Sequence, residues 1–186
     1  KNINLSNIKI YQSYRDAIDI DLSSNIYLNN LIIKNSGNDA IDLMDSSVLV
    51  MSSLLTNSKD KGISSGEGSN TVVYNTKIQN NNIGIAAKDS STIALIDNLI
   101  DSNNLDLSAY SKNWQYANGG NAVFYNSSIN RMSIEVSKDS MLAMDSFSKK
   151  RYLADDELSS SLIIYKPVDL YNKEIDGLLL DLEKYK

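Results

Sequence analysis

The sequence predicts an all-β chain wound as a right-handed parallel β-helix, a solenoid with rungs of about 22 residues and a C-terminal capping tail. Three observations predict it. Apolar residues recur in three sets at near-constant intervals, and the stretches between them are rich in Asn, Ser, Asp and Gly. The chain also holds a single proline in 186 residues, as strands that must pair with neighbours above and below require.

The first set is Ile18, Ile41, Ile63, Ile85 and Leu107; the second is Ile10, Ile33, Leu55, Ile78 and Ile100. A third, less regular set is Ile8, Ile26, Val48, Val72 and Ile93. Each rung therefore carries three short strands separated by turn formers. Ile18 and Ile20 flank Asp19, and Ile41 and Leu43 flank Asp42. This period-two alternation turns the isoleucines inward and sends the column Asp19, Asp42, Ser64, Ala86 and Ser108 outward. A polar column, Gln12, Asn35, Asn57, Asn80 and Ser102, follows the second strand of each rung. It reads as a ladder of side chains hydrogen-bonded from rung to rung. A leucine-rich repeat would need one strand with a constant Leu frame, and a left-handed β-helix a six-residue period. Neither is present.

Residues 1–145 form the predicted β-helix: five clear rungs over 8–110, a loop at 112–120 (KNWQYANGG), and less regular rungs over 121–145. Residues 146–186 form the tail, with a strand expected at 162–165 and a short helix at 171–185. In the helix Ile175, Leu178, Leu179 and Leu182 share one face. Such a tail covers an open solenoid end or docks a partner, self-association included. Opening at Lys1 inside a repeat, the sequence reads as part of a longer or processed chain. No apolar run approaches membrane-spanning length.

There is no cysteine and no histidine, which excludes disulfides, thiol catalysis, Ser–His catalysis and His-ligated zinc within this chain. Eighteen basic against twenty-three acidic residues give a net charge of −5. That disfavours nucleic acid, where phosphate neutralisation supplies the affinity. It also disfavours an acidic polysaccharide unless a cation bridges the two.

Several strings go beyond generic solenoid composition: NDAIDL (38–43), DKGISSGE (60–67), GIAAKDSS (84–91), the looser AYSKNWQYANGG (109–120), and SKDS (137–140). Over about residues 5–145 the chain resembles bacterial right-handed β-helix proteins of the pectate-lyase-like superfamily. It looks closest to surface or exported members without a defined activity. The resemblance implies an extracellular or cell-surface location and a sugar polymer as partner. The superfamily holds lyases, hydrolases, epimerases, tailspikes and adhesins, so fold alone does not choose among them.

Asp16 and Asp39 occupy equivalent positions in consecutive rungs, as do Asp19 and Asp42. Four carboxylates on one strip ask for a cation, and Ca²⁺, with its flexible oxygen coordination, is the expected one. Lyases of the resembled superfamily bridge uronate to protein through Ca²⁺ and abstract a proton with Lys or Arg. Lys61 follows Asp39 in the same column, and none of the three arginines, Arg15, Arg131 and Arg151, lies near it in the sequence. Lys61, Asp19 and Asp42 are therefore the catalytic candidates, and neutralisation of Asp39 by Lys61 is the alternative. Asp45, Glu67 and Asp89 recur at 22-residue spacing, each opening a turn, with Lys88 beside the last. Tyr110, Trp114 and Tyr116 offer flat rings against which sugars stack, or else they cover the break in the repeat. The leading expectation is a module that binds or spaces, with a polysaccharide as ligand. The alternatives are a carbohydrate-active enzyme, whether Ca²⁺-dependent uronate lyase or hydrolase, and a purely structural envelope component.

Overall fold

The computed structural model describes residues 2–129, 134–145 and 148. Among them the strands come in triplets, one triplet per rung. The first rungs are β1 (Ile3–Ser6), β2 (Lys9–Tyr11) and β3 (Ile18–Asp21), then β4 (Ile26–Asn29), β5 (Ile32–Lys34) and β6 (Ile41–Met44). The middle rungs are β7 (Ser47–Met51), β8 (Leu54–Thr56) and β9 (Lys61–Gly66), then β10 (Asn70–Tyr74), β11 (Lys77–Gln79) and β12 (Ile83–Lys88). Next come β13 (Thr92–Ile96), β14 (Leu99–Asp101) and β15 (Leu105–Tyr110), then β16 (Asn121–Tyr125), β17 (Ser128–Ile129) and β18 (Ile134–Val136), and last β19 (Met141–Met144). The tail strand and helix expected at 162–165 and 171–185 lie outside the described residues, as does Arg131.

Like strands of successive rungs pair in parallel into three sheets. Sheet 1 stacks β1-β4-β7-β10-β13-β16-β19, sheet 2 stacks β2-β5-β8-β11-β14-β17, and sheet 3 stacks β3-β6-β9-β12-β15-β18. Two of the three apolar sets fall in register as the spacing requires. Ile18, Ile41, Ile63, Ile85 and Leu107 line sheet 3, and Ile10, Ile33, Leu55, Ile78 and Ile100 line sheet 2. Both columns enter one interior cluster, fully buried in the middle rungs.

The third set is corrected by one residue. Ile26 and Val48 are joined in register by Thr71, not Val72, before Ile93. Thr71 turns in because its hydroxyl finds a buried partner, the Ser65 hydroxyl at 2.8 Å. Val72 therefore faces out, a one-residue shift reversing every side chain of a strand. Ile8 is not a member of the column either; Ile3 pairs with Ile26.

The Asn-rich columns owe their composition first to backbone conformation. Gln12, Asn35, Asn57, Asn80 and Ser102 all have φ between 57° and 61°, a left-handed region that Asn tolerates better than most residues. No hydrogen bond joins their side chains to one another among the described residues, so the expected ladder is not in this column. It runs one residue later instead, where Ser58 N–H donates to Asn81 Oδ1 (2.9 Å) and Asn81 N–H to Asn103 Oδ1 (2.9 Å). A longer ladder climbs the corner between sheets 1 and 2. There the N–H groups of Leu31, Ser53, Thr76, Asn98 and Ser127 donate in turn to Ser53, Thr76, Asn98, Ser127 and Ser148 side-chain oxygens. Each bond satisfies an amide that the corner would otherwise bury unpaired.

Candidate functional site

The outer surface of sheet 3 gathers most of the singled-out residues. Its outward column runs Asp19, Asp42, Ser64, Ala86, Ser108 and Glu135 in register. The sequence sends this column outward. Asp19 is exposed, but Ser64 and Ala86 are fully buried, and the Ser64 hydroxyl has no partner. Small residues thus floor the middle of this face, with charged and aromatic groups at its two margins.

At one margin stand Asp16, Asp39 and Lys61, linked by the backbone. Asp16 Oδ1 accepts from Asp39 N–H (2.8 Å) and from Asn38 Nδ2 (2.8 Å), and Asp39 Oδ1 accepts from Lys61 N–H (2.8 Å). The two aspartates act as rung-to-rung acceptors for corner amides. Lys61 Nζ pairs with Asp39 (3.5 Å) and hydrogen-bonds Asp60. Burial raises Asp39 to about 6, even though the Lys61 charge and hydrogen bond work the other way. Burial alone would lower Lys61, but the Asp60 hydrogen bond and the Asp39 and Asp60 charges more than reverse it. Lys61 is therefore a held ammonium at neutral pH. As an ammonium it would have to lose its proton before it could act as a base. Of the two readings of Lys61, neutralisation of Asp39 is the one this geometry supports.

The aspartates do not form a metal cage. Asp16 and Asp39 spend an oxygen each on backbone N–H groups, while Asp19 and Asp42 lie side by side on the outer column. Slight burial, then the charges of Asp21, Asp42 and Asp16, raise the Asp19 carboxyl. Among the described residues no three carboxylates converge closely enough to hold a metal ion. The donor set does not fit the six to eight oxygens that Ca²⁺ takes.

The other margin is the end of sheet 3, where the turn column Asp45, Glu67 and Asp89 has positive φ throughout (45°, 48° and 55°). The sequence reads all three as turn carboxylates, but Asp89 does more. It is fully buried, and its Oδ1 accepts both Lys112 N–H (2.6 Å) and Asn113 N–H (2.7 Å). It therefore pins the first turn of the 111–120 loop. Sequence reasoning missed this because the partners lie in the segment where the period breaks. The far end of the loop is held too: Ser90 N–H donates to Asn118 and Gly119 carbonyls (3.0 Å each), and Gly119 N–H to the Asp139 carbonyl (2.8 Å). Gly120 presses on β12 so closely that a Cβ there would lie 2.1 Å from the Ala87 carbonyl.

On this braced loop Trp114 is 88% exposed. It does not cover the break in the repeat. Tyr110, at the end of β15, and Tyr116, two residues on from Trp114, are half-buried. Slight desolvation and then the charges of Asp45, Glu67 and Asp89 push the Tyr116 phenol up, and its ring stands by the same turn, 3.9 Å from where a Cβ on Gly68 would lie. The arrangement is a flat indole presented to solvent by a braced loop, with Tyr116 of the same loop near the acidic turn column.

No curated protein and no solved structure matches the chain. A family model described as a right handed beta helix region matches residues 1–146, covering nearly all the described rungs, so the chain belongs to the right-handed β-helix family.

Proposed function

We propose that this domain is a binding module of an exported or cell-surface protein and that its ligand is a neutral polysaccharide. The observation that carries the reading is Trp114, exposed on a loop fixed at both ends by hydrogen bonds. A large apolar ring held in water by an ordered backbone costs free energy unless it has a partner. Sugar rings present the flat C–H faces that stack on indole, and their hydroxyls suit the Tyr hydroxyls and amides nearby. The net charge of −5 and the acids around Tyr116 favour a neutral polymer over a uronate. Among the described residues no three carboxylates of the aspartate strip converge on a cation site to reverse that preference, and Lys61 is taken up in ion pairs with Asp39 and Asp60.

Affinity electrophoresis through gels containing neutral and uronate polysaccharides tests the reading. A neutral polymer is expected to retard the protein with or without a Ca²⁺ chelator, and Trp114→Ala to abolish retardation while leaving the thermal transition unchanged. Free migration in every gel would leave a spacing or structural role as the better account.

A further inference from the structure

Over the first four rungs, charge is sorted by face. On sheet 2 the column Ile10, Ile33, Leu55 and Ile78 lines the coil interior, so the residues flanking it point outward. These include Lys9, Lys34 and Lys77 and no acidic residue, in a chain whose net charge is −5. Lys59 follows in the turn after β8. Lys9, Lys59 and Lys77 are exposed and Lys34 is half-buried. None of the four is in an ion pair among the described residues, where Lys61 makes both that occur. Between the lysines lie Tyr11, 54% exposed, and the half-buried Ile32 and Leu54.

Sheet 3 carries the opposite charge on the first two of these rungs. Asp19 and Asp21 point outward from β3, and Asp42 stands in register with Asp19 on β6. Asp19 and Asp21 are exposed. No lysine or arginine pairs with any of the three among the described residues, so their like charges stand unrelieved. Leu22, the next residue, is 73% exposed at a φ of 48°. A large apolar side chain held out from a strained backbone position gains nothing in an isolated coil.

We propose that the outer face of sheet 2 docks a second copy of this chain, which presents to it Asp19, Asp21 and Asp42 on the outer face of its sheet 3. Lys9 and Lys34 stand on the same two rungs as these aspartates, so two coils set side by side with parallel axes bring opposite charges to one height. Rungs repeat at about 4.8 Å in both copies, which keeps the two sets of charges in step. Leu22 on one side and Tyr11, Ile32 and Leu54 on the other add apolar area to the contact. At physiological ionic strength the Debye length is about 8 Å. Facing pairs within that range attract, while the net charges of the two copies, spread over whole coils, are largely screened. An anionic polymer or surface would satisfy the lysines and leave the aspartates and Leu22 unmatched. Because the contact joins two different faces, it is heterologous and repeats from copy to copy.

Sedimentation velocity of the full chain at high protein concentration tests the contact. The weight-average mass is expected to reach about twice that of the monomer or more at about 0.1 M salt, and to return to the monomer at about 1 M, where the Debye length is about 3 Å. Lys9→Glu with Lys34→Glu, and separately Asp19→Lys with Asp21→Lys, are each expected to leave a monomer at both salt concentrations. Mixing the two variants is expected to restore association, since every contact then again joins opposite charges. Restoration also shows that both variants are folded, because unfolded chains have no faces to pair. A wild-type monomer at every salt concentration would leave the lysines to a different, anionic partner and overturn the proposal. Association that persists at about 1 M salt, single variants that still associate, or variants that keep the wild-type thermal transition and stay monomeric when mixed overturn it equally.

Discussion

Among the described residues seventeen non-glycine positions hold a positive φ, and most are Asn, Asp or Ser, whose short side chains lessen the cost of the left-handed region. Leu22 (φ 48°) is the misfit. It occupies the turn position that Asp45, Glu67 and Asp89 fill in later rungs, is 73% exposed, and gains no burial in return. Replacing Leu22 with Asn is expected to stabilise the fold by about 1 kcal/mol, measured as a rise in the denaturation midpoint with an unchanged slope. Asp106 is a misfit of another kind. It is fully buried, its Oδ1 accepts from Asn103 Nδ2 (2.9 Å), and its Oδ2 has no partner. Burial raises it to about 6, as it does Asp39. A carboxyl with a folded pKa above its unfolded value binds protons more tightly in the native state. Its contribution to stability is full below the unfolded value near 4 and is lost as pH rises through about 6. The thermal midpoint is therefore expected to be higher at pH 5 than at pH 7.5. Asp106→Asn, which supplies a donor in place of the orphaned oxygen, should shrink that difference and raise the pH 7.5 midpoint by roughly 2–4 °C.

At the scale of the elements, the corner between sheets 2 and 3 couples residue size across rungs. A Cβ on Gly62 would lie 3.1 Å from Asn81 Nδ2, and one on Gly84 would lie 2.8 Å from Asn103 Nδ2. Each glycine makes room for the amide above it, and that amide bonds back to the preceding rung, at the Leu55 and Ile78 carbonyls. One rung earlier the equivalent pair is Ala40 with Ser58, and the Ser58 hydroxyl is buried without a partner. Ser58→Asn alone is expected to lose about 1 kcal/mol by overpacking. Combined with Ala40→Gly it should extend the ladder, giving a favourable coupling of about 1–2 kcal/mol in a double-mutant cycle of chemical denaturation. The isoleucine columns were legible in the sequence because one residue type recurs at one period. The Gly–Asn complement was present too, but nothing in the spacing says that Gly62 and Asn81 touch. Thr71 and Val72 are both β-branched, so periodicity could not choose which of them faces inward; a single hydroxyl contact with Ser65 did.

For the whole molecule, the candidate site was legible in its parts and not in its grouping. Asp16, Asp19, Asp39 and Asp42 do share one edge of sheet 3, as equal spacing demands. Spacing could not show that Asp16 and Asp39 spend their oxygens on backbone amides, or that Lys61 is held as a cation. Trp114 stood out as the only tryptophan, but its exposure depends on Asp89 pinning a loop 23 residues away. Among the described residues the 111–120 loop interrupts the period of the solenoid, and that interruption presents the ring to solvent. Because Trp114 is the only tryptophan, intrinsic fluorescence reports on this one position without a label. Titrating the protein with the neutral polysaccharide that retards it is the most direct test of the central claim. A saturable blue shift with a change in intensity, with its midpoint matching the retardation, is the predicted result. An emission spectrum that stays at the solvent-exposed position throughout saturation would place the ligand elsewhere and contradict the account.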